Sequence, residues 1–360
     1  MRIALVHDYF LQDGGAERVV LAWQRLFPRA PIYTLLTDPR TLPEGFDGER
    51  IRPSSLQKLL IHPKIYPLLT PLMPMAVEQI DLRQFDRVLI STSSFAKGVI
   101  VPPQVKTICY MHTPTRFLWE ERKRYAHDRG WPALSRLPIA HTFHRLRAWD
   151  YAAAQRPHQL LTNSRTSQAR IARYYSRSAE IVSPPIDLSI TPFTTQRSPR
   201  FWLTGGRLIP YKRFDLSIRA ANFLHVPLKI FGCGPAEAYL RSIAGPTVEF
   251  LGSITDQQKY QLMHQAYAFL HPHLEDFGMT ALEALGSGTP VIAFDGGGAQ
   301  ETVQPGVNGV LLPTSSVSSL LEAMRQFDPA NFDPTTVRES VRAFDLPRFN
   351  EQILRYVNAD

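Results

Sequence analysis

Residues 271–301 read HPHLEDFGMTALEALGSGTPVIAFDGGGAQE and join a strand end, a short acidic loop and a helix. The apolar residues 268–270 precede this stretch and predict the end of a buried strand, after which 271–276 form a loop. A helix is predicted to start near Met279, directly after a Phe-Gly pair. Strand, loop and helix in this order are typical of an α/β fold with a parallel sheet.

The start of this helix has the chemistry of an anion site. Gly278 allows a ligand to approach the backbone, and the first-turn N–H groups of Met279 and Thr280 lack partners within the helix. The helix dipole adds positive potential there, which favours a diphosphate. Glu275 lies just before the helix and Glu283 about one turn inside it, so we expect both carboxylates to face the same crevice.

A second glycine-led loop carries positive charge. The apolar residues 201–204 predict a strand, and Gly206, Arg207 and Lys212 follow it before a predicted helix at 214–221. An arginine can bind two phosphate oxygens at once, whereas a lysine acts as a point charge. The loop therefore predicts a second group of anion-binding side chains at the carboxyl edge of the same sheet.

Together these motifs resemble the signature of retaining glycosyltransferases of family 4. The matching residues are Glu275-x7-Glu283 with Phe277-Gly278 inside it, the tail ALGSGTPVI at 284–292, and Gly206-Arg207-x4-Lys212. The resemblance extends loosely over nearly the whole chain and is tight from Gly205 to Gly309. It implies the α/β GT-B architecture, in which two Rossmann-like domains face each other across a cleft and a C-terminal helix returns to the N-terminal domain.

The expected division follows from this architecture and from a proline pair at 184–185. Residues 1–185, with a C-terminal helix at 346–360, form a Rossmann-like acceptor-binding domain whose last strand is predicted at 160–162. Residues 190–345 form a Rossmann-like domain that binds the nucleotide sugar. A length of 360 residues suits two such domains.

The resemblance also implies roles for residues of the second domain. Arg207 and Lys212 neutralise the departing nucleoside diphosphate, Glu275 supports the donor sugar, and Glu283 binds ribose. The loops that begin at Gly232 and Gly252 form the wall of the nucleobase pocket, and Glu301 lies beside the donor sugar. Each charge also has a purely structural explanation: for Glu301, it is a carboxylate at a helix N-terminus.

Two features of the first domain follow buried strands. Gly14 and Gly15 close a loop after the apolar run 3–6, without the G-x-G-x-x-G dinucleotide fingerprint. His112 follows the run 107–111, at the edge where open α/β sheets bind ligands. In the resembled family the glycine loop faces the donor diphosphate and the acceptor, and the histidine contacts the transferred sugar. The sequence YMHTPTRFLW around His112 resembles a mannosyltransferase-rich branch of that family.

Composition limits the partners and the compartment. Forty basic and 32 acidic residues give a net charge of +8, which favours anionic partners, yet no nucleic-acid-binding module is visible. The chain holds only two cysteines, which fits a reducing cytoplasm. It has no membrane-length apolar stretch, and too few apolar residues near Met1 for a signal peptide. We expect a cytoplasmic protein that can bind peripherally to the inner face of the plasma membrane.

Two segments are candidates for that membrane contact. Residues 51–80 mix prolines and apolar residues with basic ones, which fits either an amphipathic docking surface or a helical subdomain packed on the sheet. Residues 116–147 are rich in basic side chains, including Arg122, Lys123 and Arg124. They form either a solvated basic face or a surface for a diphosphate-linked acceptor or anionic lipid.

The resemblance implies retaining transfer of a hexose, with mannose from GDP-mannose favoured, to a glycan acceptor in polysaccharide biosynthesis. A polyprenyl-diphosphate-linked glycan is a candidate acceptor. The alternatives are a UDP-sugar donor, a sugar-phosphate synthase or phosphorylase, and a non-catalytic sugar-nucleotide-binding protein. We expect no cofactor and no metal, because His271 and His273 have no third ligand at a suitable sequence spacing and no Asp-x-Asp pair occurs.

Overall fold

The computed structural model describes residues 1–12, 14–60, 62–120, 136–195 and 200–359. The chain divides into two compact units, and each has its own parallel sheet. The first unit contains Met1–Pro185 and Phe349–Asp360, and the second contains Ile186–Arg348. The predicted Arg122, Lys123 and Arg124 and the loop residue Asp13 lie outside the described residues.

The first unit is built on a seven-stranded sheet with the order β3-β2-β1-β4-β5-β6-β7. Its strands are β1 (Ile3–Phe10), β2 (Ile32–Thr37), β3 (Ile51–Pro53), β4 (Arg87–Thr92), β5 (Lys106–Met111), β6 (Gln159–Thr162) and β7 (Glu180–Ile181). All the pairings are parallel. The central strands each contain an apolar run because helices cover both faces of the sheet. The strand order reverses between β1 and β4.

Short helices connect these strands. They are α1 (Gly15–Leu26), α2 (Met73–Glu78), α3 (Arg116–Trp119), α4 (Arg136–Ala154) and α5 (Arg165–Tyr175), with 3₁₀ helices at Pro39–Thr41, Gly48–Arg50, Ser55–Leu59, Pro63–Leu72 and Ala96–Gly98. In the predicted surface at 51–80, Met73 and Val77 are buried in the core, whereas Leu68 and Met75 are exposed. This segment therefore packs on the sheet and also presents apolar side chains to solvent.

The second unit has a six-stranded parallel sheet with the order β10-β9-β8-β11-β12-β13. The strands are β8 (Phe201–Gly205), β9 (Leu228–Phe231), β10 (Val248–Gly252), β11 (Ala266–His271), β12 (Val291–Phe294) and β13 (Gly309–Leu312). The helices are α6 (Phe214–Leu224), α7 (Glu237–Ser242), α8 (Asp256–His264), α9 (Met279–Gly286), α10 (Ala299–Thr302), α11 (Val317–Gln326) and α12 (Pro334–Glu339), with 3₁₀ helices at Pro210–Lys212, Pro329–Asn331 and Arg342–Phe344. The strand order reverses between β8 and β11, which is where such sheets bind ligands.

The last helix, α13 (Leu346–Asn358), packs on the first unit. Its buried residues Phe349, Ile353 and Val357 follow helical spacing. The ring of Phe349 lies 6.3 Å from that of Tyr110 on β5, and Arg87 Nε donates to the carbonyl oxygen of Val357 at 3.2 Å. The predicted return of a C-terminal helix to the first unit is confirmed.

One sequence prediction is affected by the strand assignments. The prediction that 160–162 is the last strand of the first unit is wrong, because β7 adds to the sheet beside β6. With only two residues, β7 is too short to produce a recognisable apolar pattern.

Cys109 is buried in the first unit, Cys233 is exposed in the second, and both thiols are free. Among the described residues, no helix is long and apolar enough to span a membrane.

Candidate functional site

The central feature of the second unit is an ion pair at the point where its strand order reverses. The loop after β8 carries Lys212, and the loop after β11 carries Glu275. Lys212 Nζ lies 2.6 Å from Glu275 Oε1, and the two side chains are 12% and 16% exposed. Two loops that are distant in sequence are therefore joined by a charged, partly buried contact at the carboxyl edge of the sheet.

Two histidines surround the Glu275 carboxylate. His271 Nε2 lies 3.5 Å from Oε2, and His273 Nε2 lies 3.7 Å from Oε1. Burial raises the pKa of Glu275, but the Lys212 ammonium and the imidazoles outweigh it and hold the pKa well below its usual range. Burial lowers the pKa of both His271 and His273. The group therefore consists of an ionised glutamate, a cationic lysine and two neutral imidazoles near pH 7.

The same group corrects the sequence prediction about a third metal ligand. The ligand atoms of His271, His273 and Glu275 all lie within 4.8 Å of one another. The prediction that the two histidines have no third ligand is therefore wrong in space, because the chain bends at His273 and Glu275 lies beside them. Two imidazoles and a carboxylate are a ligand set that zinc accepts. Lys212 opposes such binding here, because its ammonium already contacts the carboxylate and would repel a cation.

The start of α9 lies beside this ion pair. Gly278 is the N-cap of the helix with φ +88°, and it provides no side-chain cap for the first-turn N–H groups, which include those of Met279 and Thr280. A Cβ on Gly206 would lie 3.4 Å from Lys212 Nζ and 3.9 Å from Thr280 Oγ1. The glycine loop after β8, the lysine and the helix start therefore converge, as the two motifs predicted.

The buried side chain of Phe277 holds the start of α9 in place. Its side chain is 4% exposed, and its ring lies 5.8 Å from that of Phe344. The backbone of Gly298, in the loop after β12, packs closely against the backbone of Phe277. A Cβ at position 298 would lie 2.1 Å from the carbonyl oxygen of Phe277. Gly298 N–H also donates to the carbonyl oxygen of Glu275 at 3.0 Å. Phe277 thus acts as a core residue that holds the loop, and its backbone accommodates the neighbouring glycine.

The other predicted residues of the second unit occupy the surrounding loops. Glu283, on α9, bonds to Lys259 Nζ of α8 at 2.7 Å, a partner that the sequence analysis did not identify. Gly232 N–H donates to the carbonyl oxygen of Gly252 at 2.7 Å, which joins the loops after β9 and β10. Arg207 is exposed on the loop after β8, and Glu301 is half-buried in α10.

Gly232 also fixes the loop after β8. Its φ is +103°, and a Cβ there would lie 1.9 Å from the carbonyl oxygen of Gly206. Leu208 N–H donates to the carbonyl oxygen of Cys233 at 2.9 Å. The backbones of the two loops are therefore in direct contact, and only glycine fits at position 232.

The remaining predicted residues lie in the first unit. Gly14 caps α1 with an extended backbone, and Gly15 is the first residue of that helix. His112 directly follows β5, and its Nε2 lies 2.9 Å from Ser91 Oγ. Burial and the neighbouring His7 lower the pKa of His112 to about 3, so its ring is neutral near pH 7.

Sequence reasoning missed the carboxylate that organises the loop after β4. Asp8, on β1, accepts from Thr92 Oγ1 at 3.0 Å and from four backbone N–H groups. Those N–H groups belong to residues 93–96, which connect β4 to the next 3₁₀ helix. The available signal was an acidic residue inside an otherwise apolar strand, where an unpaired charge would be costly.

Comparisons with known proteins agree with this geometry. Residues 191–328 match the family model described as glycosyl transferases group 1. The D-rhamnosyltransferase WbpZ of Pseudomonas aeruginosa is 30% identical over 176 residues, which cover 44% of this chain and 46% of that protein. The O-antigen chain mannosyltransferase C of Escherichia coli is 33% identical over 134 residues, which cover 35% of this chain and 36% of that protein. The chain thus spans less than half the length of these curated relatives.

The solved structure of HepE from Anabaena, in complex with UDP and glucose, matches 100% of both chains with a TM-score of 0.70 and 19% identity. This similarity covers both units, so the GT-B fold predicted from the sequence is confirmed. The predicted resemblance to glycosyltransferases is confirmed as well, because the matched residues 191–328 contain Lys212, Glu275 and α9. Residues 191–328 of the second unit are thus similar to the group 1 glycosyl transferases.

Proposed function

We propose that this protein is a retaining glycosyltransferase that transfers a hexose, with mannose from GDP-mannose as the favoured donor, to a glycan acceptor in polysaccharide biosynthesis. One observation carries the proposal: Lys212 and Glu275 form an ion pair of 2.6 Å beside the uncapped start of α9. A cation and free backbone N–H groups suit the diphosphate of a nucleotide sugar. An ionised carboxylate next to them suits the sugar that the diphosphate carries.

The same groups support a chemical role. In glycosyl transfer the transition state resembles an oxocarbenium ion, and negative charge grows on the β-phosphate. Lys212 and the N–H groups of Met279 and Thr280 would stabilise that negative charge more strongly than they stabilise the ground state. Glu275 would support the positive charge on the sugar, because the low pKa keeps its carboxylate ionised. We propose that the leaving phosphate accepts the proton of the acceptor hydroxyl, without a metal ion.

Two loops support the assignment of the nucleoside. Gly232 brings the loop after β9 into contact with the loop that carries Lys212, and its N–H donates to the carbonyl oxygen of Gly252, which joins the loop after β10. We assign the base to these loops and the ribose to Glu283, which a ligand hydroxyl would have to share with Lys259. The rhamnosyl- and mannosyltransferase relatives favour a hexose donor, and a further relative from Mycobacterium tuberculosis, a GDP-mannose-dependent alpha-mannosyltransferase, favours GDP as its carrier. The UDP in the HepE crystal makes a UDP-sugar the second donor to test.

The donor assignment is tested by thermal unfolding of the whole protein with GDP, GDP-mannose, UDP and UDP-glucose, each with and without EDTA. A ligand present at about 100 times its Kd stabilises the folded state by about 2.7 kcal/mol. We expect GDP and GDP-mannose to raise the unfolding temperature in both conditions. A response to UDP compounds alone would overturn the donor, and loss of the response with EDTA would overturn metal independence. No response to any nucleotide would contradict the proposed function.

We further propose that the first unit contacts anionic lipid at the cytoplasmic face of the membrane while it binds a lipid-linked acceptor. Four apolar side chains between residues 59 and 75 are 40–73% exposed, namely Leu59, Leu68, Leu72 and Met75. Arg52 and Lys58 are exposed near them. Such a surface suits an anionic interface.

Cosedimentation with vesicles tests the membrane contact. The protein should pellet with vesicles that contain an anionic lipid and remain in the supernatant with neutral vesicles. A Leu68→Ser/Met75→Ser variant should pellet less than the wild type, whereas Phe223→Ser, an exposed apolar residue of the second unit, should pellet normally. Equal pelleting of all three proteins would contradict this surface.

A further inference from the structure

A row of polar side chains runs through the interior of the first unit from α1 to the end of β5. We call it the buried polar row; its members are Glu17, His7, Ser91 and His112, each at most 9% exposed. Ser91 Oγ lies 2.9 Å from His112 Nε2 and 3.1 Å from His7 Nδ1. His7 Nε2 lies 3.6 Å from Glu17 Oε1. The row therefore connects the glycine-led start of α1 to the predicted sugar-contacting histidine.

The glutamate sets the direction of the hydrogen bonds. A carboxylate anion only accepts, so it favours the His7 tautomer that carries a proton on Nε2. The 3.6 Å contact is longer than a hydrogen bond and acts through the attraction between the charge and the N–H dipole. His7 Nε2 is buried without a hydrogen-bond partner, so this nitrogen is not engaged elsewhere, and the second carboxylate oxygen, Glu17 Oε2, also lacks one.

One contact favours the opposite tautomer. The carbonyl oxygen of Ser91 lies 3.3 Å from His7 Nδ1 and would accept a proton from that nitrogen. A carbonyl oxygen carries a partial charge, whereas an ionised carboxylate carries a full one. We infer that the Glu17 carboxylate sets the tautomer of His7, which leaves His7 Nδ1 as an acceptor.

The remaining hydrogen bonds then follow in sequence. Ser91 donates its hydroxyl proton to His7 Nδ1, so its oxygen is left to accept from His112 Nε2–H. Burial keeps His112 neutral near pH 7, because it lowers the pKa to about 3. A neutral imidazole has one protonated nitrogen, so Nδ1 of His112 carries a lone pair.

We propose that Glu17, acting through His7 and Ser91, is a positioning residue that fixes His112 as the Nε2–H tautomer, so that Nδ1 accepts a hydrogen bond from a ligand hydroxyl. The identity of that ligand as the donor sugar rests on the proposed function. The row thereby gives the site a chemical preference. A hydroxyl group can donate to His112, whereas a deoxy position or a methyl ether cannot.

The tautomer is measurable without any ligand. In the whole protein labelled with ¹⁵N-histidine, long-range proton–nitrogen spectra distinguish a protonated ring nitrogen from a bare one. His112→Gln identifies the signals of His112 by their loss. We expect Nε2 protonated and Nδ1 bare in the wild type. A wild-type spectrum with the proton on Nδ1 would overturn the proposal.

Glu17→Gln tests control at a distance with an isosteric change. The amide can donate as well as accept, so His112 should shift to the Nδ1–H tautomer or to a mixture of both. Glu49→Gln is the matched control, because Glu49 is exposed on the same unit, and its spectrum should equal that of the wild type. An unchanged His112 tautomer in a folded Glu17→Gln variant would refute the role of Glu17. If that variant does not fold, Ser91→Ala interrupts the same row. A pure Nε2–H tautomer of His112 in the Ser91→Ala variant would then refute control of His112 through the row.

Binding measurements separate this proposal from the proposed function. Glu17→Gln should weaken binding of the preferred nucleotide sugar about tenfold, as expected for one lost hydrogen bond, and leave the affinity for the free nucleoside diphosphate unchanged. An equal loss for both ligands would contradict the assignment of His112 to the sugar. If no nucleotide sugar binds to the wild type, the proposed function fails, while the spectra still decide the tautomer.

Discussion

At the scale of single residues, Lys212 and Glu275 neutralise each other's charge until an anion binds. Each side chain is mostly buried, so the charge of one offsets the cost of burying the other. A diphosphate that enters beside α9 would compete with Glu275 for the lysine and release the carboxylate for the sugar. The ion pair therefore keeps both groups charged and in place, as a site for charge stabilisation requires.

The first prediction concerns this lysine. Lys212→Met removes one preorganised charge, so kcat/KM for glycosyl transfer should fall about 10²- to 10³-fold, or about 3 to 4 kcal/mol. Lys229→Met is the control, because Lys229 also forms an ion pair in the second unit, with the exposed Glu249 at 3.2 Å. Steady-state kinetics should show near-normal values for the control. Near-normal turnover by Lys212→Met would remove Lys212 from the mechanism.

The positions of these loop residues were predictable because the loops that carry them follow apolar strands. Gly206, Lys212 and Glu275 all occupy loops that leave the carboxyl ends of parallel strands, and those ends meet at one edge. The partners of Glu283 and His112 were not predictable in the same way. Lys259 approaches Glu283 from another helix, and Ser91 approaches His112 across a neighbouring strand, so no local spacing indicates either contact.

At the scale of secondary structure elements, one buried carboxylate joins three helices of the first unit. Asp150, on α4, is fully buried and lies 2.6 Å from Lys97 Nζ. It also accepts from Thr115 Oγ1, Trp119 Nε1 and Tyr175 OH, each at 2.7 Å. Burial lowers the pKa of Lys97, but Asp150 and neighbouring groups outweigh it and raise the pKa above its usual value. This fully satisfied network fixes α3, which follows the loop that carries His112.

The second prediction concerns that network. Asp150→Asn leaves Lys97 buried without its counter-charge, so the free energy of unfolding should fall by about 3 to 5 kcal/mol in urea titrations. Asp81→Asn is the control, since Asp81 and Arg83 form an ion pair with side chains 60% and 78% exposed, and it should leave the free energy of unfolding nearly unchanged.

A double variant separates lost charge pairing from lost packing. Lys97→Met combined with Asp150→Leu removes both charges and should recover much of the stability that Asp150→Asn loses, because well-packed apolar residues can replace a buried ion pair. If the double variant is less stable than Asp150→Asn, the hydrogen bonds to Thr115, Trp119 and Tyr175 contribute more than the ion pair does.

The elements themselves differ in how well the sequence predicts them. Strands such as β1, β5 and β11 contain apolar runs, at 3–6, 108–111 and 266–270, so burial on both faces of a parallel sheet is visible in the sequence. The sequence does not indicate the Asp150 network, because Lys97, Thr115 and Tyr175 are far apart along the chain and come together only in the folded unit. Its polar residues look like ordinary surface positions until the fold brings them together.

At the scale of the whole molecule, each unit has the same doubly wound pattern. The strand order reverses between β1 and β4 in one sheet and between β8 and β11 in the other. The polypeptide leaves the first unit after Pro185 and returns to it at Phe349. The first unit therefore needs residues from both ends of the chain to complete its core. The 3.6-residue spacing of Phe349, Ile353 and Val357 made the helix itself predictable, and the resemblance alone indicated where it packs.

The last prediction tests that dependence. Phe349 is 2% exposed and packs near Tyr110, so Phe349→Ala should destabilise the first unit by about 3 kcal/mol through the lost contacts and the cavity left behind. Hydrogen exchange followed by mass spectrometry should show faster exchange in β4 and β5, with unchanged exchange in β11 and β12. Glu351→Ala is the control on the same helix, because Glu351 is exposed, and it should leave both sheets unchanged. An equal increase of the exchange rates in the two sheets would instead mean that α13 stabilises both units, because the substitution would then destabilise more than the core of the first unit.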